Sequence, residues 1–354
     1  MTKSKMSALL PDPDFSCSPP ECVFAAGVRP YRKKTYRLEA KNLGTKFVVH
    51  NYGHGGAGIT MSWGCAAAVR DIVLQHQGGP HGQIAVLGQG VMGLTAATLL
   101  RDRGFDVSIY ADLNSTTTSD VAGGQWAPSF VKNIPAEKNQ FEAILRTAFK
   151  MHEDRINKGY GVSRRINYSK HQTGTSFDKV PHDIVPAPTF FPHLPFAHLN
   201  QPGWGYCTLL VEPPIFLKRL REDLKTDGVT PRVPFIHKTF GSFAEIDNLP
   251  QRVVVNCTGL GARKLFGDAD LVPIKGQLVL LKAQPSLDYL YSSDETYVFP
   301  RSDHVVVGGS HECNVNNTDI DNIKCAAILK MAKDVFSGHP MLHSERRDWM
   351  LTNK

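Results

Sequence analysis

The sequence predicts an α/β fold organised around a Rossmann-like dinucleotide-binding unit, and three observations carry that prediction. The apolar run Gln83-Ile84-Ala85-Val86-Leu87 has the composition of a short parallel strand buried on both faces. It leads directly into Gly88-Gln89-Gly90-Val91-Met92-Gly93 and a helix to about Arg103. A second strand, Val107-Ser108-Ile109-Tyr110, then ends at Asp112, nineteen positions after Gly93. In such a unit Gly88 permits the tight turn, Gly90 lets the backbone approach a pyrophosphate, and Gly93 lets the helix pack close to the strand. The helix N-terminus offers unpaired N–H groups to the anion, and Asp112 is placed to bind a ribose hydroxyl. The candidate cofactor set here is Gly88, Gly90, Val91, Met92, Gly93, Ala111 and Asp112. The motif alone does not choose between NAD and FAD.

The other elements follow in chain order. Residues 1–22, rich in Pro, Ser and Asp, read as an irregular arm. A strand-like pair, Phe24–Arg29 and Thr35–Leu38, precedes the β-branched run Lys46–His50, which ends in the cluster Gly53, Gly55, Gly56, Gly58. A helix is expected from about Thr60 to Gln75. His76–Gly82, with Gly78-Gly79-Pro80, reads as a linker into the dinucleotide unit. From Phe141 the apolar positions Ile144, Leu145, Ala148, Phe149, His152 and Ile156 recur at helical steps, giving an amphipathic helix. The Pro- and Phe-rich stretch 173–205 offers little regular signal. A helix over Ile215–Leu224, a β-rich region over Val233–Val307 and a closing helix over Asn322–Val335 complete the chain.

Bulk properties exclude several functions. With 354 residues, 42% of them hydrophobic, the chain can bury large cores. It has no apolar run of the roughly 18 residues that span a bilayer, and its N-terminus lacks a signal-peptide core, so a cytoplasmic location and no membrane contact are expected. C-terminal Leu351–Lys354 is no peroxisomal signal. The net charge of +7 is scattered rather than gathered into an aromatic-and-basic stripe, so nucleic acid is not an expected partner. The seven cysteines have irregular spacing, with Cys65 and Cys257 in apolar surroundings. The better reading is a reduced compartment with inert thiols; Cys17 and Cys22 lack zinc-site spacing and no metal is expected.

Further segments carry a resemblance. Thr116–Pro128, with Thr117, Thr118, Gly123, Gly124 and Gln125, and His50–Thr60, with Gly55, Gly56, Ala57, Gly58, Ile59 and Thr60, followed by Trp63-Gly64-Cys65, closely resemble blocks of the D-amino acid oxidase family. Val255–Gly259, with Cys257, Thr258 and Gly259, Gly276-Gln277 and Gly27–Pro30 resemble further blocks. The order differs from the family's, in which the dinucleotide unit opens the chain and the Arg-Pro and Asn-Tyr-Gly-His-Gly-Gly blocks close it. The chain therefore reads as circularly permuted, with the old ends joined through the Gly-Gly-Pro linker.

The resemblance implies a GR2-type Rossmann-like FAD-binding domain (38–130 plus 206–265). Interleaved with it would be an α+β substrate domain on a mixed or antiparallel sheet (23–37, 131–205 and 266–335), leaving an arm (1–22) and a tail (336–354). It implies oxidative deamination of a D-amino acid by hydride transfer from Cα to flavin N5. The products would be an imine, then an oxo acid and ammonia, with dioxygen as acceptor and hydrogen peroxide released. Arg29 matches the arginine that clamps the substrate carboxylate. Tyr297 matches the tyrosine beside it, the competing reading being a core tyrosine. Thr239 falls near the adenine half, and Arg37 resembles a second arginine near the flavin. The family's lid tyrosine has Asp294 at its expected offset, with Tyr289 or Tyr291 as substitutes. His50 and His54 read as structural rather than as general bases. Another primary or secondary amine, a dehydrogenase, a non-catalytic flavoprotein and a homodimer all stay open.

Overall fold

The computed structural model describes residues 9–79, 81–225, 232–294 and 296–338. Two sheets organise them. The first has six strands in the order Arg37–Leu43, Lys46–Tyr52, Val253–Asn256, Gln83–Leu87, Asp106–Ala111, Phe235–His237. All neighbours in it run parallel except the first pair. Its central strands are Val- and Ile-rich because both faces are buried: Ile84, Val86, Val253, Val254 and Val255 have no exposed surface.

Helices Gly58–Gln77 and Val91–Asp102 pack together beside this sheet, and Lys138–Glu153 packs on the first of them. A Cβ on Gly64 would lie 2.1 Å from the carbonyl oxygen of Ile144, so glycine is what lets those two backbones approach. His152 reaches across the same crossing to the carbonyl of Ile59 at 3.0 Å.

The second sheet has nine strands and is mainly antiparallel. Its longest strand is Leu271–Lys282, next to the edge, paired on one side with Val23–Arg32 and on the other with His304–Gly308. Helix Asn322–Phe336, capped by Asp321, covers one face through Cys325, Ile328, Ala332 and Phe336.

Several expectations need correction. Strands Val162–Ser169 and Gly203–Val211 pair along eight residues, and neither shows in the sequence as a strand. Residues 9–22 are irregular yet packed: Phe15 is buried against Phe336, and Leu10 bridges to Phe196. Cys17 and Cys22 form a disulfide, against the expectation of thiols throughout, while Cys65 and Cys257 are buried and free. The pairing closes a tight loop that spacing alone does not reveal. The tail beyond Gly338 lies outside the described residues. Among those residues no helix is long and apolar enough to cross a membrane, and no group of three His, Cys, Asp or Glu could hold a metal.

Candidate active site

The parallel strands end at Tyr52, Asn256, Leu87 and Ala111 on one edge of the first sheet, where the second sheet faces them across a cavity of about 1070 Å³. That is the upper end for small-molecule sites, enough for a dinucleotide and a small substrate together.

One half of the cavity is glycine backbone and helix ends. Gly88 turns the chain at φ +105°, and a Cβ there would sit 2.5 Å from the carbonyl of Cys257. Gly90 caps helix Val91–Asp102 with no side-chain hydrogen bond, and Ala57 does the same for helix Gly58–Gln77. Two helix N-termini thus start at one cavity, the Val91 N–H donating to Ser119 Oγ at 3.1 Å, and such a pair of helix starts suits a ligand carrying anionic charge. Val91, Met92, Ala111, Asp112, Thr239, Thr258 and Gly259 line this half. Ser115 and the backbone of Asn114 donate to Asp112 and hold its carboxylate below the usual range.

Residues 116–125 run from this half to the other. The Thr118 hydroxyl donates to Val28 O at 2.7 Å and Gln125 donates to Asn167 at 2.7 Å, which ties the segment to the second sheet. Thr117, Gly123 and Gly124 line the cavity along it, and Gly55, Gly56, Gly58 and Ile59 line the wall opposite.

Three expected cofactor residues do not reach the cavity. A Cβ on Gly93 would lie 2.0 Å from Gly88 O, so this residue sets the helix against the turn. Ala57 is fully buried, and Thr60 spends its hydroxyl on Ala127 O at 2.8 Å.

The far half carries the side chains. Arg29 extends along the second sheet to lie over Gly276, and its guanidinium donates to Ser310 O at 3.3 Å. Among the described residues no Asp or Glu forms an ion pair with it. Tyr297 lies against Gly308, its ring stacked on Phe299 at 4.6 Å, and the positive charge of Arg29 acts on its hydroxyl. Burial raises this phenol's pKa, and the guanidinium pulls the other way.

Two lining residues have no signal in the sequence. Phe130 adopts φ 50° and places its ring 5.6 Å from the Arg29 guanidinium. His311 lies tilted against Phe130 with ring centroids 4.2 Å apart, has no partner for Nε2 among the described residues, and is held neutral by burial, its pKa down to about 4.

Tyr289 and Tyr291 do not line the cavity. Both are buried in the core under helix Asn322–Phe336, and Tyr289 donates to Pro11 O. Asp294 does line it, 3.1 Å from His171 Nε2, although the ring N–H is not aimed well enough for a hydrogen bond. Arg37 is also absent from the cavity: it is engaged by Tyr52, Glu39 and Asp268. His50 is held at 3.0 Å from Asn256 away from it, whereas His54 lines it, buried, with Nε2 3.4 Å from Cys65 Sγ.

The family model described as FAD dependent oxidoreductase matches residues 210–351. D-amino-acid oxidase of Streptomyces coelicolor is 31% identical over 255 residues, 70% of this chain and 76% of that protein. Human D-aspartate oxidase is 30% identical over 247 residues, 65% of this chain and 69% of that protein. Among solved structures, glycine oxidase from Bacillus cereus superposes with a TM-score of 0.50 at 15% identity, covering 72% of this chain and 77% of that one. Iminodiacetate oxidase from Chelativorans sp. BNC1 gives 0.51 at 13% identity, covering 72% and 79%. These two show likeness of fold. The chain belongs to the D-amino acid oxidase family of FAD-dependent oxidoreductases.

Proposed function

We propose that this enzyme catalyses the oxidative deamination of a D-amino acid. The observation that carries the reading is Arg29, a guanidinium lining the cavity and paired with none of the described carboxylates, set to take a substrate carboxylate in two parallel hydrogen bonds with Tyr297 beside it. The D-amino-acid and D-aspartate oxidases among the relatives support the handedness.

In this reading the backbone at Gly90, Val91 and Met92 holds the pyrophosphate, Asp112 a ribose, and Thr239 the adenine side. Thr117, Thr118, Gly123, Gly124, Gln125, Cys257, Thr258 and Gly259 enclose the ring system. The N-terminus of helix Gly58–Gln77, with Gly55, Gly56, Gly58 and Ile59, supports negative charge there. FAD supplies the two-electron oxidation of the amine-bearing carbon, with dioxygen as acceptor and hydrogen peroxide released. The protein's part is to anchor the carboxylate at Arg29, orient the Cα–H, and exclude water with Phe130 and Tyr297.

One observation favours a second reading, a different primary or secondary amine. Tyr289 and Tyr291 lie in the core, so the mouth carries the His171–Asp294 contact instead of a tyrosine. Anaerobic titration of the yellow protein with D- and L-amino acids and small secondary amines separates the two. Bleaching by D-amino acids and peroxide on admission of air supports the first; bleaching by secondary amines alone supports the second.

The chain order, in which helix Gly58–Gln77 runs through Gly78 into strand Gln83–Leu87, fits the proposed circular permutation. The two sheets support the proposed division into FAD-binding and substrate domains, except that strand Gly203–Val211, most of it assigned to the first, lies in the second sheet. We also propose a cytoplasmic location. Five free cysteines favour it and the Cys17–Cys22 disulfide opposes it, so alkylation of the protein in intact cells decides the matter.

A further inference from the structure

We propose that the ion pair Glu312–Lys324, behind the cavity wall, is a positioning device for Arg29 and thereby sets the affinity of the site for a carboxylate. The inference rests on the reading that Arg29 takes the substrate carboxylate.

The connection is a continuous chain of hydrogen bonds. Arg29 Nη1 donates to the carbonyl of Ser310 at 3.3 Å. Ser310 is fully buried; its hydroxyl donates to Glu312 Oε1 at 2.9 Å and accepts from the backbone N–H of Gln277 at 3.0 Å. Gln277, also fully buried, donates its amide to the same Oε1 at 3.3 Å and accepts from the N–H of Asp321 at 2.9 Å. Lys324 Nζ closes the chain on Glu312 Oε2 at 2.7 Å. Glu312 is thus a mostly buried carboxylate whose two oxygens take donors from a strand, a turn and a helix.

Its reach toward the cavity is what makes it more than a clamp for the helix. Gly276 precedes Gln277 and is the surface on which the guanidinium lies, while Ser310 supplies the carbonyl that holds it. Gly309, between Tyr297 and Ser310, would place a Cβ 3.0 Å from the tyrosine hydroxyl. These two contacts of the guanidinium therefore come from residues at or next to positions whose hydrogen bonds end on Glu312. A buried network of this kind holds its members only when every one is satisfied.

The charged groups packed around Glu312 are Lys324 and Asp321 on the helix and Lys275 on the strand, the last held by Asn317 at 2.8 Å. Burial raises the Glu312 pKa, but Lys324, Ser310 and Gln277 together bring it below the usual range.

The test uses the FAD-loaded enzyme and benzoate as a carboxylate probe, its dissociation constant read from the perturbed flavin absorbance. KM and kcat are measured with D-alanine. Ser310→Ala cuts the link to the backbone at 310 and removes the acceptor of the Gln277 N–H, while Lys324 and the Gln277 side chain stay paired with Glu312 and Asp321, so a role confined to gluing the helix through those bonds is untouched by it. Ser310→Ala and Glu312→Ala should each weaken benzoate and raise KM about tenfold with kcat within about twofold, and the double variant should be no weaker than the stronger single one. Glu312→Gln, which keeps an acceptor for Ser310, should recover most of the loss. Thermal midpoints identify any variant that is misfolded, and Ser310→Ala with Glu312→Gln then decides alone. Unchanged benzoate affinity in Ser310→Ala, or additive losses in the double variant, overturns the proposal while Arg29→Met still abolishes binding. Full benzoate affinity in Arg29→Met overturns the carboxylate reading itself and the proposal with it.

Discussion

Replacing Gly276 by alanine is expected to disarm the carboxylate site without unfolding the protein. The new Cβ would stand 2.4 Å from Nη1, 2.6 Å from Nη2 and 2.7 Å from Cζ of Arg29. Ordinary contact needs about 3.5 Å or more, so the guanidinium must move by roughly 1 Å. What yields is the end of a flexible side chain rather than backbone, and alanine is easily accommodated in a strand such as Leu271–Lys282. Stability should stay within about 1 kcal/mol, a few degrees in thermal midpoint. A displaced guanidinium forfeits charge-assisted hydrogen bonds that contribute about 1.5–3 kcal/mol, equivalent to a loss of about 10- to 150-fold in affinity. The assay is KM for a D-amino acid together with the benzoate dissociation constant, on protein that retains its flavin spectrum. Affinity within twofold of the parent, with the thermal midpoint unchanged, would refute the placement of Arg29 over Gly276 as the anchor.

Three further outcomes follow from the same geometry. Gly90→Ala meets nothing closer than the Ser119 hydroxyl at 3.3 Å and should give folded protein with weakened FAD retention; Gly93→Ala drives a Cβ to 2.0 Å from Gly88 O and should yield little folded protein. Equal flavin content in parent and Gly90→Ala on gel filtration would contradict this. Tyr297→Phe should raise KM about fivefold with little change in kcat, the loss of one hydrogen bond of about 1 kcal/mol, and an unchanged KM would remove the hydroxyl from the site. His50, His54 and His152 are at most 2% exposed, and burial lowers the pKa of each to about 3. The unfolded chain takes up their protons from about pH 6.5 downward, so it binds more protons than the native state between about pH 6.5 and 3, and stability falls with pH across that window. The slope is at most about 1.4 kcal/mol per pH unit for each histidine. A thermal midpoint as high at pH 5 as at pH 7 would contradict it.

Local rules made much of the fold legible. Strand Gln83–Leu87, its glycine turn and the helix after it appear within a residue or two of their expected bounds, because turn chemistry and helix termination act over a few residues. Helix Lys138–Glu153 follows its apolar stripe, with Phe141, Ile144, Leu145, Ala148, Phe149 and His152 buried. Strands Val162–Ser169 and Gly203–Val211 escaped because their burial is uneven and their pairing partners are distant in the chain. Tyr291 and Asp294 show the same limit at the site. Three residues apart near one hairpin, one points into the core and the other lines the cavity, and which does so depends on the helix covering the opposite face.

The sequence by itself determined the strand–turn–helix of the dinucleotide-type unit and the glycine-rich helix starts, since each is a short motif whose chemistry is contained in its own residues, whereas Arg29 and Tyr297 are pointed to only by resemblance. Only the tertiary structure decided that Arg29 lies over Gly276, that His311 and Phe130 share its end of the cavity, and that Glu312 reaches it through Ser310. Those contacts join segments from both ends of the chain, and their distances are set by how two sheets pack, a property of no local segment.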